Sequence, residues 1–210
     1  MLRFRALALA AAPLAAALAF APAPLAAQAN NGLSMVTAHL RAVNTMTANF
    51  SQTDRRGRTL NGTVSIKRPG KVRFDYGRSA NILIVGDGNA LNFIDYDVRQ
   101  VSRWPINDSP LSVLLNPNQD LSRFSRVVRN DNQVLLVEAR DSRRREFGTI
   151  TISFAKSGNA PGGLILQGWT TLDAQNNRTT IRLSNQRFNV PVADSAFRFT
   201  DPRRRGGPRG

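Results

Sequence analysis

The sequence predicts a mainly β (α+β) chain: a single curled antiparallel sheet of ten or eleven strands, forming an unclosed half-barrel under two helices. Three observations lead there. Short apolar/polar alternations, separated by turn residues, recur from about residue 47 to 189. Only two segments interrupt that rhythm with helical character. Neither an internal repeat nor a linker divides the chain.

The first helical segment carries Leu33, Val36, Leu40 and Val43 at spacings of three and four, which predicts an amphipathic helix over roughly 32–46. Strands are then expected at 47–54, 58–67, 71–77, 81–86, 90–95 and 98–104. Arg56-Gly57, Arg68-Pro69-Gly70 and Asp87-Gly88-Asn89 supply the turns between them. The second helical segment starts with Ser109 as N-cap and Pro110 at the first helical position, and Pro117 stops it. Leu111, Val113, Leu114 and Leu115 make it apolar nearly all round. So short a helix is not stable alone and must be packed on something. Strands resume at about 123–130, 133–140, 147–155, 163–173 and 178–189, and Phe197 and Phe199 alternate near the end.

A sheet of that size curls. Its concave face is apolar and has only two slim helices to cover it, which leaves room for a cavity. The most pronounced alternation is on the strand after Pro69-Gly70. There Val72, Phe74 and Tyr76 face one way, and Lys71, Arg73 and Asp75 the other. Lys67, Arg68, Lys71 and Arg73 gather four cations beside that apolar face.

Residues 1–29 read as a secretory signal peptide: Arg3 and Arg5, an Ala/Leu-rich core, then Ala27-Gln28-Ala29 as the cleavage site. Residues 30–202 are expected to form one domain. Residues 203–210 form an Arg-rich tail with the composition of a disordered segment. An exported, soluble location in the periplasm follows. The chain has no cysteine, which excludes disulfides, thiolate metal sites and an acylated N-terminal cysteine. With 29 Lys+Arg against 14 Asp+Glu, the surface favours polyanions such as anionic headgroups or acidic proteins. Nucleic acid is not expected as a partner of an exported chain.

Nothing in the sequence supplies a catalytic set, and the protein is not expected to be an enzyme or to need a cofactor or metal. His39, the only histidine, lies on the first helix beside the apolar stripe and reads as a flanking, partly exposed residue. Asp95 and Asp97 share a strand face but sit at a turn. Trp104 and Trp169 end or interrupt apolar strands and read either as core or as cavity wall.

Four segments, in order, resemble the periplasmic outer-membrane lipoprotein carrier (LolA) family. Met46 to Gln52 is similar to its F-x-A-x-F-x-Q opening strand. Gly62 through Ile66-Lys67-Arg68-Pro69-Gly70-Lys71-Val72-Arg73-Phe74 is similar to its K-R-P strand pair. Ile82 to Gly88, with Leu91 and Phe93, is similar to its I-L-V-S-D-G-x-x-L-W-x-Y segment, and Ser109 to Leu115 to its short second helix. Ala196-Phe197-Arg198-Phe199-Thr200 matches its ending. Val72 stands where the family has phenylalanine, and Phe74 where it has tryptophan.

The resemblance implies a monomeric carrier for acylated lipoproteins. Such a carrier is loaded by an inner-membrane exporter complex and unloaded at an outer-membrane acceptor or the outer membrane itself. It implies that acyl chains enter the half-barrel and that Arg68 acts in loading and transfer through contacts to the helical lid. The candidate cavity residues are then Leu40 on the first helix, Val64 and Ile66 before the turn, and Val72, Phe74 and Tyr76 after it. Leu83 and Val85 follow, then Phe93 and Trp104. Leu111, Leu114 and Leu115 on the second helix and Trp169 complete the set. The alternatives are a lipid- or polyanion-binding module and an envelope-stress sensor with the same half-barrel.

Overall fold

The computed structural model describes residues 25–106, 112–140 and 148–203. Most of the expected leader, the candidate Leu111 with Ser109 and Pro110, and the tail beyond Arg203 lie outside the described residues. Helix α1, Leu25–Ala42, is followed by β1, Thr45–Thr53, β2, Thr59–Lys67, and β3, Lys71–Asp75. One turn of helix, α2, Gly77–Ala80, leads to β4, Ile82–Asp87, β5, Ala90–Asp95, and β6, Gln100–Pro105. Helix α3, Ser112–Leu115, precedes β7, Ser125–Asn130, and β8, Val134–Ala139. The chain continues through β9, Thr149–Lys156, β10, Leu164–Leu172, and β11, Arg178–Phe188. All eleven strands form one open antiparallel sheet in the order β6-β5-β4-β3-β2-β1-β11-β10-β9-β8-β7. Each expected strand is present. Two antiparallel meanders run outward from the centre, where β1 pairs with β11.

α1 ends at Ala42, earlier than the apolar spacing predicts. Val43 N–H closes the last turn on the His39 carbonyl. From Thr45 onward the chain is claimed by β2, with Met46 opposite Ile66 and Ala48 opposite Val64. β-Branched Thr45 and Thr47 suit a strand better than a helix end. α1 also begins at Leu25, so in the unprocessed chain it runs across the expected cleavage site at Ala29. The alternation does not predict α2. Asp75 accepts the Gly77 N–H, and Gly77 and Asn81 take positive φ (69° and 50°), which turns the chain sooner than the alternation suggests.

The core lies on the concave face. Met46, Val64, Ile66, Phe74, Leu135, Ile152, Phe154 and Leu166 are all buried there beneath Val36 and Leu40 of α1 and Val113, Leu114 and Leu115 of α3. A second, smaller cluster lies on the convex face, where Phe197 packs on Leu83, Val85 and Ile94. The segment holding Phe197 is a 3-10 turn, Asp194–Phe197, rather than a further strand.

His39 is not a flanking residue: it is 1% exposed. Its ring stands edge-on to Phe154 and Phe188, with centroids 5.5 and 5.9 Å away. Nδ1 donates to the Pro161 carbonyl at 2.8 Å, so Nδ1 carries the hydrogen of the neutral ring. The turn Pro161–Gly163 packs so closely on α1 that a Cβ at Gly162 would lie 2.5 Å from the His39 backbone. Burial, more than any other cause, holds the imidazole pKa below its ordinary 6.5. The Pro161 bond opposes that shift, and the Arg68 charge adds to it.

This packing can be tested at two points. Between Leu166 and Gly168 the β9–β10 register slips by one residue, which lets both Leu166 and Trp169 face the core. Gly168 has φ +144°, and a Cβ there would lie 2.1 Å from the Ile181 carbonyl oxygen. Gly168→Ala is therefore expected to cost about 2–3 kcal/mol, read from the urea midpoint. A histidine held neutral by burial binds its proton more readily in the unfolded chain. Stability from His39 is thus complete above pH 6.5 and falls as the pH drops below it. His39→Gln, whose amide still reaches a carbonyl acceptor, should lose this acid sensitivity in melts compared between neutral and mildly acidic pH. An unchanged pH profile contradicts the account.

Candidate functional site

The site is built around the β2–β3 turn, residues 68–70, where the peptide bond between Arg68 and Pro69 is cis. Cross-strand pairs set the apolar face beside it. Val64 opposes Phe74, Phe74 opposes Ile84, and Ile84 opposes Phe93, so these four side chains share the concave side. A neighbouring row runs from Ile66 through Val72, Gly86 and Leu91 to Trp104. Phe50 packs edge-on against Phe74 and Tyr76, and Phe74 against Trp169, with centroid distances of 4.9–6.0 Å. Tyr76 Oη donates to Gln52 Oε1 at 2.7 Å, and burial pushes the phenol up to about 12.

Most expected wall residues therefore lie together on the concave face. Val64, Ile66, Val72, Phe74 and Tyr76 are buried there with Leu40, Leu114, Leu115 and Trp169. Phe93 and Trp104 are half-buried on the same side. Leu83 and Val85 are not wall residues. The β3–β4 register puts Ile82, Ile84 and Gly86 on the concave side, so Leu83 and Val85 point to the convex side under Phe197. The run Ile82-Leu83-Ile84-Val85 is apolar at every position, so alternation does not say which residues face inward. The same run does signal a strand buried on both faces. The sequence also passed over Met46, Phe50, Ile84 and Leu91, all of which pack in this core.

The four cations divide by task. Arg68 turns inward: Nε donates to the Leu114 carbonyl of α3 at 2.9 Å, and Nη1 to the Val43 carbonyl just past α1 at 2.5 Å. Its guanidinium pKa is pushed down by burial to about 10, still above neutrality. Backbone bonds reinforce the same joint, from Arg68 N–H to the Asn44 carbonyl and from Gly70 N–H to the Leu115 carbonyl. The other three bind the C-terminal segment on the convex side. Lys67 and Lys71 both reach Asp194, at 2.8 and 2.9 Å, and hold its carboxyl down at about 2. Lys67 Nζ also donates to the Val192 carbonyl, and Arg73 to the carbonyls of Ala196 and Arg198.

This arrangement ties α3 and the end of α1 down over an apolar surface. Among the described residues no group of three or more His, Cys, Asp or Glu is placed to hold a metal ion. No described helix is long and apolar enough to cross a membrane. Asp95 serves its own turn, accepting the N–H groups of Asp97 and Val98.

Known proteins resemble this chain in sequence and in fold. The chain is 29% identical over 184 residues to an outer-membrane lipoprotein carrier protein of Methylobacillus flagellatus, covering 82% of this chain and 86% of that one. It is 31% identical over 183 residues to the protein of the same name from Chromobacterium violaceum, with coverage of 82% and 85%. A solved structure of an uncharacterized conserved protein from Thermus thermophilus shares the fold, with a TM-score of 0.50 at 11% identity, covering 81% of this chain and 94% of that one. The model of the family described as outer membrane lipoprotein carrier protein LolA matches residues 41–200, and the chain belongs to that family.

Proposed function

We propose that this chain is a periplasmic carrier that shelters the acyl chains of lipoproteins against its concave apolar face. In this reading it is loaded by an inner-membrane exporter complex. It delivers to an outer-membrane acceptor or to the outer membrane itself. It acts as a monomer, without catalysis or a cofactor. The leader-like N-terminus supports the compartment, and the names of the relatives support the cargo. The observation that carries the reading is Arg68, whose one guanidinium ties both lids shut over an otherwise apolar surface.

The energetics explain why such a tie is useful. Each buried methylene contributes about 0.8 kcal/mol. Three chains of ~16 carbons, fully buried, exceed the ~20 kcal/mol ceiling of non-covalent affinity. A carrier holding them that tightly would not release them. Closing the lids in the empty state offsets part of that gain, because cargo must break the Arg68 bonds to enter and their re-formation favours release. A hydrogen bond from a charged group is worth about 1.5–3 kcal/mol, so the pair shifts the open–closed balance by roughly two to four powers of ten.

Arg68→Leu is accordingly expected to fold, to hold cargo about a hundredfold more tightly and to hand it over slowly. Lipoprotein co-purifying with the periplasmic carrier should rise, and delivery to the outer membrane should fall. A variant that matches wild type in both quantities sinks the latch.

A further inference from the structure

We infer that the end of the sheet opposite the Arg68 turn docks on an anionic membrane surface. In a fully antiparallel sheet the hairpin tips alternate between two ends. The tips at residues 54–58, 76–81, 96–99 and 173–177 all fall at one end, and the Arg68 turn falls at the other. Two of these tips are joined directly, and two others lie near each other. Asn81 Nδ2 donates to Asp97 at 2.6 Å and Tyr96 N–H to the Asn81 carbonyl, while Arg55 lies close enough to Asp173 to lower its pKa.

The rim carries Arg55, Arg56, Arg78, Arg99 and Arg178, all exposed, and no described carboxylate lies within ion-pair distance of any of them. Acids are present, but most are turned into the hairpins. Asp54 accepts the N–H groups of Arg56 and Arg58 and pairs with Arg58. Asp95 accepts from Asp97 and Val98, and Asp173 from Gln175 and Asn177. Such turns hold the carboxylate against the backbone and leave the guanidiniums facing solvent. At the opposite end, by contrast, Lys67 and Lys71 share Asp194, and Arg129 is paired with Asp131.

Charge alone would suit any polyanion; the apolar residues select a bilayer. Of the four exposed large hydrophobic residues among those described, three sit on this rim: Val98, 67% exposed, Leu172, 37%, and Leu60, 36%. Val98 is next to Arg99 at its tip, Leu172 opposes Arg178, and Leu60 follows the Arg55–Arg58 turn. Arginines at headgroup depth with small apolar anchors among them match a lipid–water interface. A soluble polyanion offers nothing for Val98 or Leu172 to enter. This inference does not depend on the cargo reading, and it adds to that reading a place where the carrier meets the membrane.

The test is co-sedimentation of the protein, purified as the cell exports it, with vesicles of phosphatidylcholine alone or of equimolar phosphatidylcholine and phosphatidylglycerol at low salt. Binding is expected only to the anionic vesicles and should weaken with salt. Each arginine removed should lower it about fivefold, so Arg55→Gln/Arg56→Gln/Arg178→Gln loses on the order of a hundredfold and Arg55→Gln alone about fivefold. Val98→Ser should bind severalfold less with the same salt dependence. Arg187→Gln, toward the other end of β11, should bind as wild type, and thermal melts should match throughout. Equal binding to both vesicle types, or wild-type binding by the folded arginine variants, overturns the proposal. So does full competition by soluble polyphosphate together with an unaffected Val98→Ser, which marks a plain polyanion site. Delivery by Arg68→Leu is a separate readout, so the two readings fail independently.

Discussion

The pairing of β1 with β11 makes this molecule one sheet rather than two. Strands β1 to β6 and β7 to β11 are each local meanders that hairpins can assemble. Only the ladder from Met46–Phe188 to Thr53–Thr180 joins them. That contact closes a loop of most of the chain and therefore carries the largest entropic cost among the strand pairs. Its return is a continuous concave face, with Phe74 of one meander against Trp169 of the other. Neither meander alone offers the lids a surface to cover.

The lids depend on the same seam. α1 runs directly into β1, so the position of β1 determines where the helix ends and places the Val43 carbonyl within reach of Arg68. Burying a guanidinium is costly unless its donors are used. Here Nε takes the Leu114 carbonyl of α3 and Nη1 the Val43 carbonyl just past the end of α1. Each of those carbonyls lies near a helix end and has no further helical turn to bond to. A lysine has no planar fork with which to bridge both.

The convex side shows the complementary logic. Lys67, Lys71 and Arg73 occupy alternate positions with Arg68 and the apolar wall, and they bind the segment from Val192 to Arg198. One short hairpin thus ties a covering segment to each face of the sheet. The exposed ion pairs contribute little individually. Their effect is to hold Phe197 over Leu83, Val85 and Ile94, and the burial of those four side chains stabilises the face more than the ion pairs do.

What the sequence determined by itself was periodicity. All eleven strands, the two lids, the Pro-Gly turn and the alternation of Val72, Phe74 and Tyr76 against Lys71, Arg73 and Asp75 were readable, because side-chain period and turn chemistry are local properties. What it left open was everything that register and long-range packing decide. Leu83 and Val85 were misplaced because a run apolar at every position carries no parity, and only the β3–β4 pairing assigns its faces. His39 looked like a helix flank because its burial comes from Pro161, Phe154 and Phe188, more than 110 residues away in sequence. Arg68 was visible as one cation among four. Only the tertiary structure turned it away from the other three, because the carbonyls that accept its hydrogen bonds belong to elements that reach it once the sheet is assembled.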